Sequence, residues 1–105
     1  MSKSNALIFS FESIVFLSNR DLWLLLSETD NVTILQACQK ADSIMLLRIR
    51  SVFTKTACNY FNDDLNKFMG TSNEEIAQAR ERMTEILYCL GEQGRLQDWF
   101  FEFAN

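Results

Sequence analysis

The 105-residue chain contains no histidine and no proline, and only three glycines and three cysteines. The lack of histidine removes the most common general base at neutral pH and the most common nitrogen ligand for zinc. Cys38, Cys58 and Cys89 are too far apart to form a paired redox or metal-binding motif. They read as small, buried apolar residues in a reducing compartment. With no proline and little glycine there are few rigid chain breaks, which favours helices joined by short polar turns. Long apolar runs are missing as well. Residues 22–26 are hemmed in by Arg20, Asp21 and Ser27, and a bilayer-spanning helix needs roughly 20 apolar residues. The apolar stretch after Lys3 is broken at Glu12, a poor secretory leader, so a cytoplasmic location is expected.

Apolar residues make up 48% of the chain, too many for a disordered protein and enough to build a core in a chain of this length. The net charge of −4 argues against non-specific attraction to nucleic acid or anionic lipid. The charge is unevenly placed. Seven acids face three bases within residues 68–105, whereas residues 40–67 carry five bases and three acids. No linker, repeat or low-complexity tract divides the sequence, so residues 1–105 are read as one domain with an aromatic tail at 97–105.

Hydrophobic periodicity predicts a series of short helices. Ile8, Phe11, Ile14 and Val15 place a first helix near 7–16. Ser18, with Asp21 three residues on, caps a second, and Asp30 or Asn31 caps a third whose inner face holds Ile34, Leu35 and Cys38. Asp42 caps a fourth over 43–53, with Leu46, Ile49 and Phe53 inward and Arg48 and Arg50 reaching solvent. Thr54 caps a fifth, ended by Gly70, that carries Ala57, Phe61, Leu65 and Phe68 on one side. On its other side Lys55, Asn59, Asp63 and Lys67 recur at i,i+4 and form a polar ridge. Ser72 and Glu75 form a capping box ahead of Ile76, Ala79, Met83, Ile86, Leu87 and Leu90, and this last helix stops near 91–94. The expected fold is a compact all-α bundle of six helices.

Several segments resemble the C-terminal, torque-helix domain of the flagellar motor switch protein FliG. Phe9-Ser10-Phe11-Glu12-Ser13-Ile14-Val15 is similar to that family's phenylalanine-rich hinge segment. Asn19-Arg20 followed by Leu24-Leu25-Leu26-Ser27-Glu28-Thr29-Asp30 resembles that family's Asp-Asp-Arg and the Leu-Leu-x-Glu-Val-Asp after it. Ala57 with Asp63-Asp64-Leu65 resembles the torque helix, and Leu90-Gly91-Glu92-Gln93-Gly94 its closing turn. The pieces run in order and without a gap from Ile8 to Leu96.

The resemblance implies a non-enzymatic rotor domain that meets the cytoplasmic loop of the stator through charged side chains. Its partners would be that loop and other switch-ring proteins, at the cytoplasmic side of the flagellar basal body, with no cofactor, no nucleic acid and no membrane insertion. The partner-binding candidates are Asp63, Asp64, Lys55, Lys40 and Lys67. Three basic positions of the family fall at Gln39, next to Lys40, at Thr56, next to Lys55, and at Ser72. The alternative is a divergent regulatory or assembly module that keeps the fold without the torque surface. A bland reading of the ridge also stands, in which Asp63 pairs with Asn59 and Lys67 on a solvated face. The tail residues Trp99, Phe100, Phe101 and Phe103 either fold back over the core or dock a partner or a second copy. The regions that precede the hinge in longer family members are missing from this sequence, which is expected of an excised domain or a stand-alone relative. Catalysis finds no support in the sequence. It has no phosphate-binding glycine loop or nucleophile elbow, and consecutive Asp63 and Asp64 diverge by about 100° on a helix.

Overall fold

Local capping chemistry sets most of the element boundaries. The computed structural model describes residues 10–97. A 3-10 helix (Phe11–Phe16) comes first, followed by α1 (Asn19–Glu28), α2 (Asn31–Ala37), α3 (Ser43–Arg50), α4 (Lys55–Lys67) and α5 (Asn73–Glu92). Each α-helix begins at a side chain that accepts an otherwise orphaned backbone N–H. Ser18 Oγ accepts from Asp21, Asp30 from Thr33, Asp42 from Met45, Thr54 from Ala57 and Ser72 from Glu75. At the last of these the Glu75 carboxylate returns a bond to the Ser72 N–H, completing the predicted box. The described residues contain helices and no strand, so the all-α expectation holds.

Three boundaries differ from the sequence reading. The described part of the first segment is a 3-10 helix rather than an α-helix; Ile8 lies outside the described residues. In a 3-10 helix side chains at i and i+3 superpose, which brings Phe11 and Ile14 into the core together. Helix α3 stops at Arg50, not Phe53, and the Thr54 cap that opens the next helix has an extended backbone. The intervening residues close with tighter i→i+3 bonds, Val52 to Ile49 and Phe53 to Arg50. Helix α4 ends at Lys67, and Gly70 is not in the left-handed region. The positive φ values belong to Lys40 (60°) and Gly94 (71°).

The core gathers Ile14, Leu22, Leu25, Ile49, Met83 and Leu87, all fully buried. Ile76, Ala79, Met83, Leu87 and Leu90 line the inner face of α5 as the periodicity predicts, and Ile86 is half-buried. On α3 the inner residues are Met45 and Ile49, with Leu46 and Phe53 only partly covered. The most extensive contact between elements joins α2 to α5. Nearest the end of the described chain, the Gln97 N–H donates to the fully buried Asp21 carboxylate at 2.8 Å. Arg20 reaches the same carboxylate at 3.0 Å and the Arg95 carbonyl at 3.2 Å.

Two arginines act as internal clamps. Arg48 was expected in solvent. Instead its guanidinium donates to the carbonyls of Val15 (3.2 Å) and Leu17 and to Asn19 Oδ1 (2.8 Å), fastening the end of the 3-10 helix to α3. Arg80 on α5 donates from Nε to the Ala37 carbonyl at 2.8 Å and from the guanidinium fork to the Gln39 carbonyl at 2.9 Å. Its guanidinium carbon also sits 4.7 Å above the Phe11 ring, within cation–π range. Arg50 is partly covered and bonds Asn62 Oδ1 at 3.0 Å.

Candidate functional site on helix α4

Helix α4 can present charge because its two sides differ in composition. Phe61 turns inward, and its ring meets that of Phe53 edge-on with centroids 5.4 Å apart. The predicted ridge of Lys55, Asn59, Asp63 and Lys67 is exposed along its whole length. Asp64 is partly covered, and the Lys67 ammonium lies 3.3 Å from its carboxylate. Lys67 therefore turns to Asp64 at i,i+3, not to Asp63 as the solvated-face reading supposed. Asp63 has no ion pair among the described residues, so it carries the open negative charge of the helix. The exposed Lys67–Asp64 pair is of a kind that adds little stability and can be re-formed with a partner.

Lys40 lies elsewhere. It adopts a left-handed backbone in the α2–α3 loop, and its ammonium donates to Asn73 Oδ1 at 2.7 Å, at the start of α5. Among its polar contacts none joins it to the α4 ridge. The structure thus gathers Lys55, Asp63, Asp64 and Lys67 on one helix and ties Lys40 to another. Trp99, Phe100, Phe101 and Phe103 lie outside the described residues.

The three positions at which the chain departs from the basic pattern have separate explanations. Gln39 is buried and structural. Its side-chain amide donates at 3.0 Å to both the Leu35 and the Leu65 carbonyls, linking the end of α2 to the last turns of α4. Every terminal carbonyl of α2 is consequently satisfied. Ile34 accepts from the Cys38 N–H, Leu35 from the Gln39 side chain, Gln36 from the Gln39 N–H and Ala37 from Arg80. A lysine at position 39 would place its charge in that buried tie. Ser72 is committed to capping α5. Thr56 is exposed on the first turn of α4, and nothing in the structure requires a threonine there.

This face also carries a groove that the sequence does not reveal. Between α2 and the first turns of α4 lies a groove of about 250 Å³, lined among others by Ile34, Leu35, Ala57, Tyr60, Phe61 and Asp64. Ala57, Phe61 and Asp64 recur at helical spacing on one side of α4, and Ala57 places only a methyl group on the groove wall. The only sequence signal was Tyr60, a large ring next to an inward phenylalanine, which is 67% exposed at the lip.

Among the described residues no three acidic or cysteine side chains cluster in a way that could hold a metal ion, and no helix is long and apolar enough to cross a membrane. Burial raises the Cys38 thiol to about 12, opposed only in part by Arg80.

Residues 2–97 match the family model of the FliG C-terminal domain. No curated protein and no solved structure matches the chain. The match spans nearly the whole sequence and all the helices described above, including the ridge on α4. The chain belongs to the FliG C-terminal domain family, a rotor component of the flagellar motor switch.

Proposed function

We propose that this chain acts on the rotor side of a flagellar motor, without catalysis, and engages the cytoplasmic loop of the stator through Asp63 and Asp64 on α4. Family membership supports the rotor assignment. The observation that carries the contact is the exposed Asp63 with no intramolecular ion pair, next to an Asp64 whose pairing with Lys67 is solvent-exposed. A surface that must engage and release a moving partner repeatedly is served by screened charge, which speeds encounter without slowing departure. Lys55 and Lys67 on the same ridge would set the orientation of the partner. The other partners would be neighbouring switch-ring proteins, and the location the cytoplasmic face of the basal body.

The test is capture of partners from the native cell by the tagged chain, with identification by mass spectrometry, repeated with Asp63→Lys and Asp64→Lys. Stator or switch-ring proteins lost on reversal, with an unchanged melting temperature, are the expected outcome. Capture that survives reversal, or variants that unfold, would remove the aspartates from the contact.

A second reading is favoured by Gln39 and Ser72. Both positions are basic in the resembled pattern and are spent here on a buried tie and a helix cap. On that reading the chain is a regulatory or assembly module that keeps the fold and binds another rotor component. Removal of residues 99–105 followed by measurement of solution mass tests whether self-association through the tail belongs to it.

A further inference from the structure

We propose that the groove between α2 and α4 is an anchor site for a single apolar side chain, aliphatic or aromatic, on a protein partner that carries a basic residue beside it. This deepens the stator-contact reading and rests on it, because it names what the partner's loop must present.

The groove is apolar at its floor, where Ile34, Leu35, Ala57 and Phe61 meet, and Phe53 packs edge-on against Phe61 beneath it. Its volume of about 250 Å³ decides the size of the guest. A cavity of roughly 150 Å³ already accepts a benzene ring, whereas pockets for whole small molecules start near 300 Å³. One leucine or phenylalanine side chain fits, with space for its own backbone to approach. The partner's charge follows from the rim. Asp64 is the only charged residue among those lining the groove, and α2, with the sequence Asn-Val-Thr-Ile-Leu-Gln-Ala, supplies none. Asp63, at the preceding position, adds a carboxylate with no ion pair among the described residues. A cation beside the anchored side chain would compete with Lys67 for Asp64, an exchange between exposed pairs that costs little. Tyr60 at the lip offers ring surface for an arginine to stack on. Charge would then govern arrival and the apolar anchor would set the register along α4.

The test titrates the full chain, labelled for amide NMR, with two short arginine-rich peptides of equal charge, one with a central leucine and one with serine in its place. The leucine peptide should bind roughly tenfold more tightly, the order expected for partial burial of one such side chain. It should also shift the amides of Leu35, Ala57 and Phe61. Ala57→Leu, which fills the groove, should abolish the preference for leucine while leaving the weaker charge-driven binding. Should that variant fail to fold, Tyr60→Ser at the exposed lip should reduce the preference without touching the core. Equal binding of both peptides, lost in Asp63→Lys, would overturn the groove and leave the charge contact standing. A leucine preference that persists in the filled variant would also overturn it. If neither peptide binds, the anchor site fails, and partner capture by the native chain decides the charge contact separately.

Discussion

Replacing Arg80 by methionine should damage the fold far more than an ordinary surface substitution. Methionine keeps the unbranched stem over Phe11 but removes both donors to the end of α2, the 2.8 Å bond to the Ala37 carbonyl and the 2.9 Å bond to the Gln39 carbonyl. Hydrogen bonds from a charged donor contribute about 1.5–3 kcal/mol each. Arg80 is half-buried, so water can partly re-satisfy the freed carbonyls and the low end applies. The two bonds together give about 3 kcal/mol, before any loss of the cation–π contact with Phe11. For a domain of this size each kcal/mol moves the melting temperature by about 4–8 °C, so the expected fall is about 12–24 °C. Thermal unfolding followed by far-ultraviolet circular dichroism reads it. Arg82→Met, two positions away and exposed, is the control and should change stability by less than about 0.5 kcal/mol. Arg80→Lys keeps the charge without the planar fork and should recover only part of the loss. A melting temperature for Arg80→Met within about 3 °C of the parent would refute the clamp, since that shift corresponds to an ordinary surface substitution.

Three further outcomes follow from other parts of the molecule. Gln39→Lys, which restores the basic residue of the resembled pattern, should destabilise the fold by about 1–3 kcal/mol because a buried tie between two carbonyls is broken; urea unfolding checks it, and an unchanged midpoint would mean the side chain is free to leave its site. At neutral pH an exposed-thiol reagent should modify Cys89 first and leave Cys38 untouched until the chain unfolds, because burial lifts Cys38 to about 12 and the reactive thiolate is not populated. Asp30 is held below its ordinary value chiefly by the Thr33 hydroxyl and backbone N–H, and Glu75 by the backbone N–H and side chain of Ser72. Since both folded-state values are depressed, the stability they contribute is present above the ordinary carboxylate values of 3.8 and 4.5 and is lost as pH falls below them; urea midpoints measured from neutral pH downward should decline there, and less steeply in the Asp30→Asn, Glu75→Gln double variant.

Elements that depend only on neighbours in the chain are legible in the order of residues. The caps at Ser18, Asp30, Asp42, Thr54 and Ser72 were legible because a side chain and the N–H it accepts are three residues apart, so no tertiary fold is needed to bring them together. The buried stripes of α2 and α5, and the exposed ridge on α4, follow in the same way from helical spacing. Tertiary structure alone decided what each polar side chain does once the helices pack. In the sequence Gln39 stands only as a departure from the basic pattern, until its amide meets the Leu65 carbonyl 26 positions away. Arg48 reads as solvent-facing until it meets Val15 across 33 positions, and the tie from Arg80 to Ala37 spans 43. The groove beside Asp64 is also tertiary. Helical spacing sets Asp63 and Asp64 on different sides of α4, and the packing of α2 against α4 builds the groove that Asp64 lines. Local chemistry fixes which face of a helix is polar; which polar group is free for a partner depends on the neighbouring helices, because their carbonyls and apolar walls claim the rest.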